Sequence, residues 1–173
     1  MISVIIPTYN EEDVILKCLE SLGKQKGVVF EVIVVDDGST DSSWQVISRL
    51  ASVAKHIKGI RFRKNYGKAA ALHTGFAEAE GDVVITMDSD LQDNPDEIPE
   101  LCRMINNEGY DMVSGWKKKR YDPFIKRFTS KIYNSTARMY SGIRLHDFNC
   151  GLKAYRNEVV KSIEVYGEMH RYI

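Results

Sequence analysis

In the stretch Asp82 to Pro95, an apolar run, DVVITM, gives way to DSDLQDNP, so that Asp88, Asp90 and Gln92 stand at alternate positions. Residues two apart in an extended chain share a face. If the chain stays extended past Met87, these three side chains point the same way. Clustered like charges cost energy unless a cation or hydrogen-bond donors compensate them. Hard oxygen donors with no His or Cys beside them select Mg2+ or Mn2+. A few protein oxygens also leave coordination positions free for phosphate. The pattern therefore points to a divalent metal that holds a diphosphate. The competing use of such residues is turn formation and capping. Asp93 and Asp96, which flank Asn94, read as helix-start residues favoured by the helix dipole.

Two more polar clusters follow apolar runs. In VVDDGSTD, Asp36 and Asp37 precede Gly38. A carboxylate at such a strand end can hold a ribose hydroxyl or a base N–H. Asp37 is expected to make that contact, and Asp41 to cap the next helix. In PTYNEE, Tyr9 offers a ring for stacking on a base, and Asn10 and Glu11 offer polar contacts. Asn10 could equally cap a helix. In NYGKAAAL, Gly67 and Lys68 open a helix, where backbone N–H groups and an ammonium suit an anion. The chain has neither GxGxxG nor GxxxxGK[ST], which excludes the usual dinucleotide fingerprint and the P-loop.

These residues need elements to hold them, and strand and helix signals alternate. Strands are expected at ISVIIPTY, FEVIVVDDGS, GIRFRK and DVVITMDSD. Helical spacing appears in EEDVILKCLESLGKQ, DSSWQVISRLASVA and GKAAALHTGFAEAE. Beyond them, NPDEIPELCRMINNEG carries a helix start, with Asn94 as N-cap and Pro95 at the first position. YDMVSGW reads as a strand, and HDFNCGLKAYRNEVVKSI as a closing strand and helix. Near-continuous apolar strands imply a sheet covered on both faces. Repeated strand-helix units imply right-handed parallel crossovers. The expected class is α/β, a mostly parallel central sheet flanked by helices, with ligands at the carboxyl ends of its strands.

A chain of 173 residues suits one domain with a real core. Lys plus Arg and Asp plus Glu are 24 each, so no global charge draws the chain to nucleic acid. Cys18, Cys102 and Cys150 are few, odd in number and far apart, which argues against a disulfide framework and fits a reducing compartment. No apolar run approaches a membrane span, and the first residues read as a strand rather than a signal peptide. The ending, GEMHRYI, is neither a polar tail nor a finished element, so the chain is expected to be C-terminally truncated.

Taken together, VIIPTYNEE, VIVVDDGSTD, NYGKAAAL, MDSDLQDNP and HDFNCGLKAYR, in this order, resemble family 2 glycosyltransferases over nearly the whole chain. The resemblance implies a GT-A fold: a Rossmann-like nucleotide-sugar-binding half, residues 1–93, and an acceptor-binding half, residues 94–173. DSDLQDNPDEIP and HDFNCGLKAYR are most similar to the branch with dolichol-phosphate mannose synthase and bacterial polyprenyl-phosphate hexosyltransferases. Those enzymes move a hexose from a UDP- or GDP-hexose to a dolichyl or undecaprenyl phosphate with inversion. The resemblance places Pro7, Tyr9, Asn10, Glu11 and Asp37 at the nucleoside, with Lys68 close by, and Asp88 and Ser89 against ribose and diphosphate. It gives the metal, Mg2+ or Mn2+, to Asp90 and Gln92, with Asp88 beside them.

Two departures bear on the acceptor. The Glu-Asp or Thr-Glu-Asp base motif of polysaccharide-forming relatives is missing. The branch also commonly continues into membrane-spanning helices, and this chain ends where they would begin. A phosphate nucleophile is already anionic at neutral pH and needs little proton abstraction, which accounts for the first departure. Such an acceptor needs cations, and Lys117, Arg120, Lys126, Arg127 and Arg171 are the candidates. Phe124, Ile125, Phe128, Ile132 and Tyr133 interleave with the charges. The segment is either an amphipathic helix on an anionic membrane surface or one packed into the core. Asp90 and Asp147 are the candidate catalytic carboxylates, Asp147 being alternatively a loop cap before Gly151. The expected location is the cytoplasmic face of the membrane, peripheral or anchored. Two alternatives stay open: a transferase acting on a sugar hydroxyl of a cell-surface glycan, and a nucleotide-sugar binding module without turnover.

Overall fold

The computed structural model describes residues 1–25, 29–116 and 150–171, the last of these, Arg171, by its backbone alone. Six strands form one sheet in the order β3-β2-β1-β4-β6-β5. The first four are parallel: β1 (Ile2–Thr8) lies between β2 (Phe30–Asp36) and β4 (Val83–Thr86), and β3 (Ile57–Arg61) adds to β2. β1 and β4 are buried almost end to end, as apolar runs without alternation require.

Among the described residues, five helices cover the two faces. On one, α1 (Ile15–Gly23), α2 (Ser43–Val53) and α4 (Ile98–Glu108) bring Cys18, Leu22, Ile47, Leu101 and Ile105 onto Val4, Ile6, Val32, Val34 and Ile85. On the other, α3 (Lys68–Glu78) and α5 (Asn157–Ser162) bring Leu72, Phe76 and Val160 onto Ile5, Ile33, Val35, Val84 and Tyr155. Each such large apolar side chain contributes roughly 1.5–3 kcal/mol on burial. Among the described residues, no helix is long and apolar enough to cross a membrane. None of the three cysteines forms a disulfide, and all are buried.

The second half departs from simple parallel crossovers. β6 (Lys153–Arg156) inserts between β4 and β5 (Met112–Ser114) and runs antiparallel to both. The sheet is therefore mixed at this edge. Local starts also differ from the sequence expectations. α1 begins at Ile15, not at Glu11, and Val14 is its N-cap. Asn10 does not cap it. Its backbone is left-handed, φ 55°, and its Oδ1 instead accepts from the Thr40 N–H at 2.9 Å. Asp41 stands one residue before the N-cap of α2, Ser42. Its two oxygens accept from the N–H groups of Ser43 and Glu12, so it fastens a helix start to the β1–α1 loop. Asn94 does cap, accepting from the Asp96 N–H, but the first turn, Pro95–Glu97, is 3-10. An α-helical bond from residue 99 to Pro95 is impossible because Pro99 has no N–H.

Candidate active site

The carboxyl ends of β1, β2 and β4 and the β3–α3 loop surround a cleft of about 380 Å3. It is lined by Pro7, Thr8, Tyr9 and Glu11 from the first end, and Asp37 from the second. Asn65, Gly67, Lys68 and Ala71 come from the loop and α3, and Asp88, Ser89 and Asp90 from the last end. Nine of the residues singled out in the sequence, Gly67 among them, thus share one cavity. Asn10 and Gln92 do not line it. Lys117, Arg120, Lys126, Arg127 and Asp147 lie outside the described residues, as does the side chain of Arg171.

The alternate spacing of Asp88, Asp90 and Gln92 does not produce a shared face. β4 ends at Thr86, and Leu91 takes a left-handed φ of 62° that turns the chain. Asp90 Oδ1 accepts from the Gln92 N–H at 3.0 Å, and Gln92 is exposed outside the cleft. Asp93 stands directly before the N-cap Asn94, but it also serves the site loop. It is buried, and its Oδ2 accepts from the Asp88 N–H at 3.1 Å, which closes the loop on itself.

Lys68, the first residue of α3, places its ammonium 2.5 Å from Asp88 Oδ1. The anion at this helix start is thus a carboxylate of the chain itself. Asp37 is buried and binds backbone: its oxygens accept from Tyr66 N–H at 2.7 Å and Gly67 N–H at 2.9 Å. It therefore holds the β3–α3 loop in place. Ser39 ties the neighbouring loop, donating its N–H to Asp36 Oδ1 and accepting from the Asn10 N–H.

Sequence reasoning missed Thr8, Asn65 and Gly151. Thr8 is 3% exposed, lines the cleft, and its hydroxyl has no partner. A buried hydroxyl left without a hydrogen bond costs about 1–3 kcal/mol, which makes Thr8 a candidate for ligand contact. Its place at the end of an apolar strand was a usable signal. Asn65 and Gly151 reach the site only through tertiary contacts.

Among the described residues, four carboxylates, Glu11, Asp37, Asp88 and Asp90, and one ammonium line the cleft. Their mutual repulsion is visible at Glu11, whose carboxyl is held above its ordinary range by burial first, then by Asp90, Asp41 and Asp88. The same field reaches Cys18 on α1, whose thiol is pushed up to about 12 by burial first and then by Asp90 and Asp93. Among the described residues, no group of three or more His, Cys, Asp or Glu is gathered for a metal. The donor set nevertheless fits a hard divalent cation: Asp88 and Asp90 supply oxygen alone, under repulsion that a cation relieves, with most ligand positions left to a diphosphate.

Glu11 gives a testable pH dependence. A native carboxyl that holds its proton more tightly than the unfolded chain contributes stability in acid. That contribution is lost as pH rises through the raised native value. Glu11→Gln is therefore expected to raise the melting temperature at neutral pH in EDTA, with the gain vanishing at about pH 4 and below. Melts of both proteins across pH decide this; a gain that persists undiminished in acid contradicts it.

The family model described as Glycosyl transferase family 2 matches residues 3–164. An undecaprenyl-phosphate 4-deoxy-4-formamido-L-arabinose transferase from Shewanella sediminis is 37% identical over 170 residues, 94% of this chain and 50% of that protein. The chain thus spans about half the length of the curated relatives it matches. Among solved structures, a glucosyl-3-phosphoglycerate synthase from Mycobacterium tuberculosis in complex with UDP is similar, with TM-score 0.72 and 26% identity over 94% of this chain and 59% of that one. A mannosyltransferase from Pyrobaculum calidifontis, in complex with GDP-Man and Mn2+, shares the fold, with TM-score 0.70 and 23% identity over 96% of this chain and 47% of that one.

Proposed function

The chain belongs to glycosyl transferase family 2, and from that premise we propose that it is the catalytic region of a polyprenyl-phosphate sugar transferase. It takes a sugar from a nucleoside diphosphate donor and inverts the anomeric carbon. The observation that carries this reading is the convergence of three strand ends and the Lys68 helix start on one cleft that pairs an oxygen-only carboxylate set with the Lys68 ammonium. The name of the Shewanella relative, and the UDP in the mycobacterial structure, support the acceptor and the donor class respectively.

In this reading Tyr9, Thr8 and Asp37 face the nucleoside: the ring stacks, the unpartnered hydroxyl bonds ribose or base, and the carboxylate keeps the loop wall in place. Asp88 and Asp90 hold Mg2+ or Mn2+. The bound metal neutralises charge on the leaving diphosphate. Lys68 adds a second positive charge at the same end of the cleft. The acceptor phosphate arrives as an anion, so the chain's task is positioning rather than proton abstraction. Lys117, Arg120, Lys126, Arg127 and Arg171 are assigned to that phosphate, and Asp147 to the anomeric centre. The donor half is residues 1–93, and the acceptor half follows. A lipid acceptor would put the reaction at a membrane surface, and the cytoplasmic face is the one assigned to it.

Two sugar classes compete: the hexose of the branch that the motifs resemble, and the formamido-arabinose in the relative's name. A thermal-shift panel of UDP- and GDP-sugars with and without Mn2+ identifies the donor, because a ligand bound to the native state raises the melting point by mass action. The full-length protein with that donor and a short polyprenyl phosphate is then expected to release nucleoside diphosphate. No release on adding the acceptor would overturn the lipid reading.

A further inference from the structure

We propose that Gly151 is a positioning residue for Asp88: only a glycine there lets the carboxylate sit where it meets Lys68 and faces the cleft. A Cβ at Gly151 would stand 2.3 Å from Asp88 Oδ2, 2.5 Å from its Cγ and 2.9 Å from its Oδ1, inside the carboxylate itself. Among the described glycines, no other has its space taken by a cleft-lining side chain. The backbone at Gly151 cannot easily yield, because its carbonyl accepts from the buried Thr86 hydroxyl at 2.9 Å. Thr86 is the last residue of β4 and pairs with Lys153 of β6. The carboxylate is thus enclosed by Gly151 and the Lys68 ammonium, while the Asp88 backbone is fixed to Asp93.

The antiparallel β6 therefore has a function at the site. Its lead-in, Cys150–Leu152, carries chain from the second half back against a donor-site carboxylate. Gly151 does not have the left-handed backbone that favours glycine. A substitution there reads the space beside Asp88 rather than main-chain strain.

This assignment takes its consequence for binding from the donor chemistry proposed above, but its geometry can be judged without it. In the full-length protein, Gly151→Ala is expected to lower the melting temperature by about 3 °C or more, as overpacking does. In an Asp88→Ala background, where the colliding atoms are gone, the same substitution should cost almost nothing. Equal costs in both backgrounds overturn the proposal, whatever the protein binds. The second readout is affinity for the donor nucleotide in Mn2+, expected to fall at least tenfold in Gly151→Ala. Gly81→Ala is the control. Its Cβ would meet the Ser3 backbone N at 2.6 Å, at the opposite end of β1, roughly 20 Å from the cleft. It should lose stability and keep affinity. Unchanged affinity in Gly151→Ala beside a wild type that binds also overturns the proposal. A wild type that binds no nucleotide defeats the donor reading and leaves the stability cycle to judge Gly151.

Discussion

Asp88→Ala is expected to lower nucleoside diphosphate release by the full-length protein about 10³-fold at saturating donor and Mn2+. The size follows from what removing one preorganised electrostatic group at a reacting centre costs, typically 10²–10³-fold. Two separate losses add here. One of the two carboxylates proposed for the metal disappears. Lys68, whose ammonium lies 2.5 Å from Asp88 Oδ1, also loses the partner that aims it. Asp88→Asn should fall nearly as far, because it restores the shape without the charge.

Stability should barely follow activity. The Lys68 and Asp88 side chains are 37% and 27% exposed, and a pair this accessible contributes about 0–1 kcal/mol. Loss of Asp88 also removes one of the negative charges that repel Glu11, which offsets part of that cost. A variant that melts near the wild-type temperature yet is almost inactive places the loss in the chemistry. Turnover within tenfold of wild type would show that Asp88 neither holds the metal nor directs Lys68.

The strand ends were legible because burial leaves an unmistakable pattern. β1, β2 and β4 are apolar without alternation, and each run breaks into polar residues where the sheet meets solvent. That break placed Tyr9, Asp37 and Asp88 near one another before any coordinates. What happens after the break was not legible. Leu91 in a left-handed conformation sends Gln92 away from the cleft, and a leucine gives no warning of that, since such backbone is uncommon for it. Asp37 looked like a nucleotide contact, but its oxygens hold two N–H groups almost thirty residues further on. Only the fold brings those groups within reach. The same holds for β6: four residues, KAYR, have no periodicity to say which strand they will join. Its partners are set by packing, and with them the contact between Gly151 and Asp88.

Gly38→Ala is expected to cost about 3–4 kcal/mol of stability and to weaken donor binding as well. Gly38 sits at φ +73°, and an L-residue in that region costs roughly 1–2 kcal/mol by itself. The rest comes from a collision. The new Cβ would lie 2.4 Å from Lys64 C, 2.7 Å from Lys64 Cα and 2.8 Å from Asn65 N, all backbone atoms, so no rotamer change relieves it. The β2–α2 loop that carries Gly38 is tied down: Ser39 bonds Asp36, Asn10 and the Arg61 guanidinium. The β3–α3 loop must therefore give way. Its Tyr66 and Gly67 N–H groups then leave the Asp37 carboxylate, whose buried oxygens lose charge-assisted bonds. Asn65, Gly67 and Lys68 line the cleft on this loop and helix start, so the donor loses a wall together with the stability. Gly67→Ala separates the two causes. Gly67 is also held at positive φ, +93° with ψ 157°, a conformation all but reserved for glycine, but a Cβ there meets nothing within 4 Å. Chemical denaturation of the three proteins should therefore place Gly38→Ala below Gly67→Ala, with Gly67→Ala losing only the cost of strain, about 1–3 kcal/mol. If the two variants lose the same stability, the close approach of the two loops is not what requires glycine at position 38.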